Sequence, residues 1–493
     1  MIGANLPALQ IVLPLVAAPL CVVLARPNLV WGFATAVSWT AMAVAVALLV
    51  QVLDGGTISY QLGGWEPPWG IEYRIDLANA FVLLIVSSIS AIVLPFAHAS
   101  VVEEIPEDRV SLFYCMYLLC LTGLLGIAIT GDVFNVFVFL EISSLSSYVL
   151  ISLGRDRRAL TAAYQYLIMG TIGATFYLIG IGLLYAMTGT LNMADLAARL
   201  PAVAETRTVQ AAFAFLVIGI GLKAAIFPLH TWLPNAYCYA PSVVTAFLAA
   251  TATKVAIYVL LRVLFTIFGT EFTLGEIALQ WVLIPLALAA MFVASTVAIF
   301  QTDVKRLLAY SSVAQIGYMV LGISFGNLTG LTATIVHLFN HAVIKGGLFM
   351  VMGCVFLRLG SSHIRDLAGL GRTMPWTMAA FVTGGLSLIG VPLTTGFISK
   401  WMLLQAAFEA GFWVLAVAIV FTSVLAIVYV WRVVESAYFR EPSEKAAKAS
   451  EAPLSMLIPT WILILANIYF GIDTSLTIGV ATKAATSLMG LAP

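Results

Sequence analysis

A chain of 493 residues with 62% hydrophobic and only 9% charged side chains is far from the roughly 25% charged composition of soluble domains. Its 23 basic and 23 acidic residues cancel, which leaves no nucleic-acid footprint. The five cysteines, Cys21, Cys115, Cys120, Cys238 and Cys354, are scattered without a C-x-x-C pair. No iron–sulfur cluster, zinc site or disulfide frame is expected, and no cofactor or metal is assigned.

Crossing roughly 30 Å of hydrocarbon takes about 20 apolar residues. Such runs cover 7–25, 30–52, 76–98, 111–130, 132–152, 162–187, 209–230, 242–266, 277–300, 307–325, 328–357, 376–400, 411–436 and 453–475. The expected fold is an all-α polytopic membrane protein of about 14 transmembrane helices. No Lys or Arg precedes the first run, so a retained span is expected there instead of a cleaved signal peptide.

An even number of spans puts both termini on one side. With the termini outside, the inner loops hold Arg26, Arg109, Arg155, Arg157, Arg158, Lys305, Arg306, Arg358, Arg365, Arg372, Arg440, Lys445 and Lys448. The outer segments hold Arg74, Arg199, Arg207 and Lys483. The positive-inside bias therefore predicts extracytoplasmic termini in a cell (inner or plasma) membrane.

Four of the eight lysines, Lys223, Lys254, Lys345 and Lys400, fall within or at the edge of spans, and Glu141 joins them in VFNVFVFLEISSLSSYVL. Each buried charge costs about 2.5–3.5 kcal/mol on insertion scales, so five unpaired ones would cost on the order of 12–18 kcal/mol. Snorkelling to the headgroups suits a lysine near a helix end. Lys254 and Lys345 are too central for it, while Lys400 is placed where it remains an option. A static Glu141–Lys223 pair that only holds helices together is the plainest structural alternative.

In HLFNHAVIKGG, His337, His341 and Lys345 follow one another at i, i+4 spacing and share one helical face. Histidine exchanges protons near neutrality, and burial brings a lysine toward the same range. The stripe therefore reads as a proton relay. The His337 and His341 spacing suits a metal, but there is no H-E-x-x-H glutamate and no nearby carboxylate to complete a site.

GLKAAIFPLHT at 221–231 and GLSLIGVPLTT at 385–395 share G-L-x5-P-L-x-T. Pro228 and Pro392 would interrupt their helices at depth, and paired interruptions in two halves point to the transport region of an inverted repeat. The expected units are two five-helix repeats, 111–266 and 277–436, broken at the seventh and twelfth helices. An odd number of helices per unit inverts the second relative to the first.

The stretches GLKAAIFPLHTWLPNAY, GDVFNVFVFLEISS, TATKVAIYVLLR, DVKRLLAYSSVAQIGY and GVPLTTGFISK resemble the proton-conducting antiporter-like family. That family includes large subunits of Mrp-type cation/proton antiporters, respiratory complex I and membrane-bound hydrogenases. GDVFNVFVFLE, GGWEPPWGIEY and the chain length are most similar to the D subunit of Mrp antiporters.

The resemblance implies a polar axis through the bilayer. Glu141 would be the fifth-helix carboxylate paired with Lys223, and Lys254 the eighth-helix relay. His337, His341 and Lys345 would be the eleventh-helix relay, and Lys400 the terminal group. It further implies a secondary-transporter subunit without catalytic residues, exchanging Na+ or another monovalent cation for protons together with partner subunits. The alternative is a non-catalytic pumping subunit of a complex I-type NADH-quinone oxidoreductase or membrane-bound hydrogenase. Trp232 and Trp401, near span ends, are expected as interfacial anchors.

Overall fold

The computed structural model describes residues 3–24 and 26–491. Helices α1 (Leu6–Leu24) and α2 (Pro27–Gly55) turn at Arg26, with Pro27 at the first helical position, where a missing N–H leaves no bond unmade. A hairpin that the hydropathy pattern does not signal follows. Strand β1 (Ile58–Gln61) pairs antiparallel with β2 (Glu72–Ile75), Ile58 opposite Ile75. The Asp76 carboxylate then caps α3 (Leu77–Glu104), accepting from the Ala78 and Asn79 N–H groups while Asn79 answers the Asp76 N–H.

Next come α4 (Val110–Ile129), α5 (Val133–Ser152) and α6 (Arg157–Thr188), with the short α7 (Met193–Arg199) in the loop after them. Helix α8 (Arg207–Ala224), α9 (Trp232–Tyr239) and α10 (Ser242–Leu261) complete the first half. A widened π turn extends α10 through Ile267. After a second π turn at Glu271–Glu276, helices α11 (Gln280–Ala289) and α12 (Ser295–Phe300) run on through a third at Ala290–Ala294, followed by α13 (Val304–Ser324) and α14 (Leu328–Leu359). The remainder is α15 (Leu370–Thr373), α16 (Pro375–Ile389), α17 (Thr395–Glu409), α18 (Trp413–Phe439), α19 (Glu444–Lys448), α20 (Leu454–Ile472) and α21 (Ser475–Leu488).

Among the described residues, 13 helices are long and apolar enough to cross a membrane. The span expected over 376–400 is a pair of shorter helices, α16 and α17, and the second continues nine residues past the expected end. The chain is thus a multi-pass integral membrane protein, all-α except for one hairpin.

Burial is uneven. Helices α10, α13 and α14 are almost wholly enclosed, whereas α1, α2, α6 and α18 keep broad apolar faces outward. In lipid no hydrophobic force favours helix contact, so small residues and close packing must supply it. Helices α6 and α8 meet in this way at Gly173 and Gly219, where a Cβ on Gly219 would lie 2.6 Å from the Gly173 carbonyl.

Two corners have the same construction. At the first, the Val133 N–H donates to Leu191 at 2.9 Å and the Met193 N–H to Gly131 at 2.8 Å, joining Asp132 to Asn192 in a short bridge. At the second, Val304 donates to Ser362 and Ile364 to Thr302, both at 2.9 Å, joining Asp303 to His363. Each aspartate also caps the helix it precedes, accepting from Asn135 N–H at 2.7 Å and from Arg306 N–H at 3.0 Å.

Candidate functional site

Helix α8 stops at Ala224 because Ala225 adopts a left-handed conformation, φ 56°. The chain crosses 225–231, with Pro228 in the gap, before α9 begins. Helix α16 stops in the same manner at Gly390, φ 95°, and α17 begins at Thr395 beyond Pro392. A helix end at membrane depth leaves carbonyls without partners. The Trp232 indole N–H donates to the Leu222 carbonyl at 2.9 Å, while the Lys400 ammonium donates to Leu388 at 3.1 Å and to Ile389 at 2.8 Å. The cation thus sits at the negative end of α16, where the helix dipole favours it.

Trp232 is therefore not the interfacial anchor its position suggests. It is buried, with its ring stacked on Tyr166 at 3.8 Å. Trp401 is 51% exposed, as a residue facing lipid or headgroups is. Lys400 is buried and turned inward over the Tyr318 ring at 4.9 Å, which removes the snorkelling alternative.

Lys223 and Glu141 are within electrostatic reach of each other but form no direct ion pair. The ammonium instead donates to Ser144 Oγ at 2.6 Å and to Tyr148 OH at 3.4 Å. Glu141, Ser144 and Tyr148 are three, then four residues apart and line one face of α5. Glu141 Oε1 is buried and has no hydrogen-bond partner. Beside Lys223 a cavity of about 30 Å³, lined by Ser143, Ser144, Ser147 and the α10 residues Ala252, Val255 and Ala256, has room for a water.

Lys254 on α10 and His337, His341 and Lys345 on α14 are fully enclosed. Lys254 donates to the Ala249 carbonyl and to Thr253 Oγ1 at 3.4 Å. Lys345 donates to the Leu308 carbonyl at 2.8 Å and to the Ser311 hydroxyl. The His337 and His341 rings lie parallel, centroids 6.0 Å apart. His341 is within electrostatic reach of Lys254 and Lys345, and His337 of Lys254 and Lys400. His337 Nδ1 is 2.7 Å from Ser399 Oγ, adjacent in sequence to Lys400. His337 Nε2 and both His341 nitrogens have no partner.

His337, His341 and Lys345 therefore line one face of α14, with Lys254 of α10 within electrostatic reach of all three and Lys400 within reach of His337, while Lys223 and the α5 serines face α10 across the small cavity. Hydroxyls and backbone carbonyls, not carboxylates, hold the cations. Ser144, Tyr148, Ser311, Tyr318 and Ser399 escape a sequence reading that looks for charge, because hydroxyls at helical spacing also occur as ordinary packing residues. Among the described residues no group of three or more His, Cys, Asp or Glu is placed to hold a metal.

Residues 130–426 match the family described as NADH:quinone oxidoreductase/Mrp antiporter, TM. The chain belongs to this family. Family membership covers both broken helices and every ionisable residue of the axis. One relative is the NADH-quinone oxidoreductase N subunit of Desulforudis audaxviator, 43% identical over 95% of this chain and 96% of its own. Another is the Na(+)/H(+) antiporter D subunit of Alkalihalophilus pseudofirmus, 28% identical over 95% and 94%. Among solved structures, a chain of the Mrp complex from a Dietzia species superposes with a TM-score of 0.90 at 28% identity, covering 99% of this chain and 98% of that one. The chain is an antiporter-like membrane subunit, and its relatives are parts of multi-subunit membrane complexes.

Proposed function

We propose that this subunit moves protons along Glu141, Lys223, Lys254, His341, His337 and Lys400, with Lys345 as a side station. The observation that carries this reading is a row of enclosed cations and imidazoles with no carboxylate bound to them. Such an arrangement is costly as a structural device and suited to exchanging protons. A proton arriving at Lys254 raises the electrostatic cost of charge on His341 and Lys345. The next proton is then favoured to move on toward Lys400. Approach of Glu141 to Lys223 would hold that ammonium charged, and separation would release its proton toward α10.

The two corners at Asp132 and Asp303, the two broken helices and the sequence echo support a further proposal. Residues 111–266 and 277–436 form two inverted five-helix units, with both termini extracytoplasmic. In this reading each unit brings one broken helix and its cation to the axis.

The partner subunits set what the proton flow is coupled to. The antiporter relative supports exchange of Na+ or another monovalent cation for protons in an Mrp-type antiporter. The 43% identity to an NADH-quinone oxidoreductase N subunit supports a redox-driven complex in which this chain pumps and catalysis resides elsewhere. The second setting has the nearer of the two relatives behind it, and the axis serves both.

Inverted vesicles from an antiporter-deficient host carrying the whole gene cluster separate them. Proton release on adding Na+, K+ or Li+ identifies the antiporter. Proton pumping only on adding a reduced substrate identifies the redox complex.

A further inference from the structure

Across the second broken helix lies a group of buried, uncharged side chains that the axis does not use. Ser387 Oγ, two residues before α16 ends, is 3.2 Å from Oγ1 of Thr395, the first residue of α17. Asn467 of α20 joins them: its Oδ1 accepts from Ser387 Oγ at 3.0 Å and from Thr395 Oγ1 at 3.1 Å. The other end of the amide fixes its orientation, because Nδ2 donates at 2.8 Å to the Leu463 carbonyl, which can only accept. From α14, Asn340 Nδ2 donates to the Thr395 carbonyl at 2.6 Å. All four residues are buried.

In the sequence echo Ser387 stands where Lys223 stands, and Thr395 where Thr231 stands. At the first break the lysine turns to Ser144 of α5. At the second the serine turns across the gap, and α17 supplies the cation. A helical serine can satisfy its hydroxyl on its own preceding turn, as Thr383 does on Ala379 at 3.0 Å. Ser387 bonds to α17 and α20 instead. The backbones approach closely here as well. Gly396 leaves no room for a Cβ beside the Ser387 carbonyl, and a Cβ on Gly471 of α20 would lie 2.5 Å from the Thr394 carbonyl carbon.

These contacts fix where Lys400 and Ser399 sit. Ser387 immediately precedes Leu388 and Ile389, whose carbonyls receive Lys400. Thr395 lies one turn before Ser399, which is 2.7 Å from His337 Nδ1. A slide of α17 along α16 would disturb all three contacts together. Proton exchange needs donor and acceptor within hydrogen-bond reach, and a misplacement of about 1 Å can cost on the order of a hundredfold in rate.

We propose that Asn467 is a positioning residue for Lys400, fastening Ser387 to Thr395 so that the two halves of the broken helix keep the register at which Lys400 meets the end of α16. The proposal rests on the axis above. It gives a task to α20, which lies beyond the two five-helix units and beyond residues 130–426 that match the family. No proton passes through Asn467.

The test is coupled translocation per assembled complex, in vesicles bearing the whole complex and driven by the cation or reduced substrate that drives the wild type. Asn467→Leu, close in shape but unable to hydrogen-bond, should slow it roughly tenfold. Thr395→Val keeps the shape of threonine without the hydroxyl, whereas Thr395→Ser keeps the hydroxyl without the methyl. The clasp predicts loss in Thr395→Val and a near-wild-type rate in Thr395→Ser, and packing alone predicts the reverse. Asn467→Leu combined with Thr395→Val should be no slower than the slower single variant, because both open the same clasp. A wild-type rate in Asn467→Leu or Thr395→Val, or losses that multiply in the double variant, overturns the proposal. Lys400→Met, measured in parallel, separates the two readings. Activity there defeats the axis and the clasp's role in it, whereas inactive Lys400→Met beside fully active Asn467→Leu defeats only the clasp. Should Asn467→Leu not assemble, the contrast between Thr395→Val and Thr395→Ser decides.

Discussion

The Lys223 ammonium lies 2.6 Å from Ser144 Oγ, one turn along α5 from Glu141. The carboxylate expected to hold this lysine therefore stands aside, and a neutral hydroxyl takes its place. A hydroxyl stabilises an ammonium without fixing its charge, so the proton on Lys223 stays exchangeable. Lys223→Ala should abolish coupled proton movement in an assembled complex. Ser144→Ala should slow it severalfold and cost about 1–3 kcal/mol, the usual penalty for a buried donor that loses its acceptor. Proton uptake rates and thermal unfolding of the purified complex check both.

Gly170 leaves space for Tyr148. A Cβ at that position would lie 1.9 Å from the Tyr148 hydroxyl oxygen and 3.2 Å from Lys223 Nζ. Gly170→Ala should therefore push the ring off its site, cost about 1–3 kcal/mol as overpacking does, and slow transport with it. Tyr148→Phe relieves the closest approach. The double variant should be more stable than Gly170→Ala alone, a non-additivity that thermal unfolding measures directly.

Lys400 closes the end of α16, and in the proposed axis it is also the terminal group. Lys400→Met strands the Leu388 and Ile389 carbonyls, at about 1–3 kcal/mol for each, and should abolish transport. Tyr318→Phe removes the 2.7 Å contact with Thr422 Oγ1 but keeps the ring under Lys400. Its transport should stay close to wild type, whereas Tyr318→Leu should lose most of it. Transport normalised to assembled complex separates these outcomes.

Outside the membrane, the Ser361 hydroxyl and then Lys445 hold the Asp366 carboxyl below its ordinary value, and Lys445 Nζ is 3.0 Å away. A carboxylate with a lowered folded-state value stabilises above the unfolded value, about 3.9, and loses that contribution as pH falls through the folded one. The segment around α19 should therefore stay docked from neutrality to about pH 4 and come loose below it. Pepsin nicking of residues 440–453 should rise in that range, and Asp366→Asn should raise cleavage by a neutral protease at pH 7.

The membrane-embedded plan is legible in the sequence because lipid imposes long apolar runs and penalises stray charge. The lysines, the two histidines and the prolines at 228 and 392 stand out for that reason. What is not legible comes from tertiary choice. Helix α8 stops at Ala224, four residues before Pro228, because Ala225 turns left-handed, and no local signal marks that alanine. Trp232 looks like an anchor by position but closes the broken helix. Lys223 selects a serine over a glutamate one turn away, a matter of rotamer and packing. The Asp76–Arg262 pair joins residues 186 apart in the chain, beyond any spacing rule.

Lys254 is fully enclosed and within reach of His337, His341 and Lys345, which makes it the centre of the proposed axis and its replacement the most direct test. The measurement is coupled proton translocation in inverted vesicles bearing the complete complex, with Lys254→Ala compared with wild type at equal assembly. The axis predicts that Lys254→Ala moves no protons above the level of empty vesicles. Full translocation by a normally assembled Lys254→Ala complex would contradict it and leave the buried charges as packing devices.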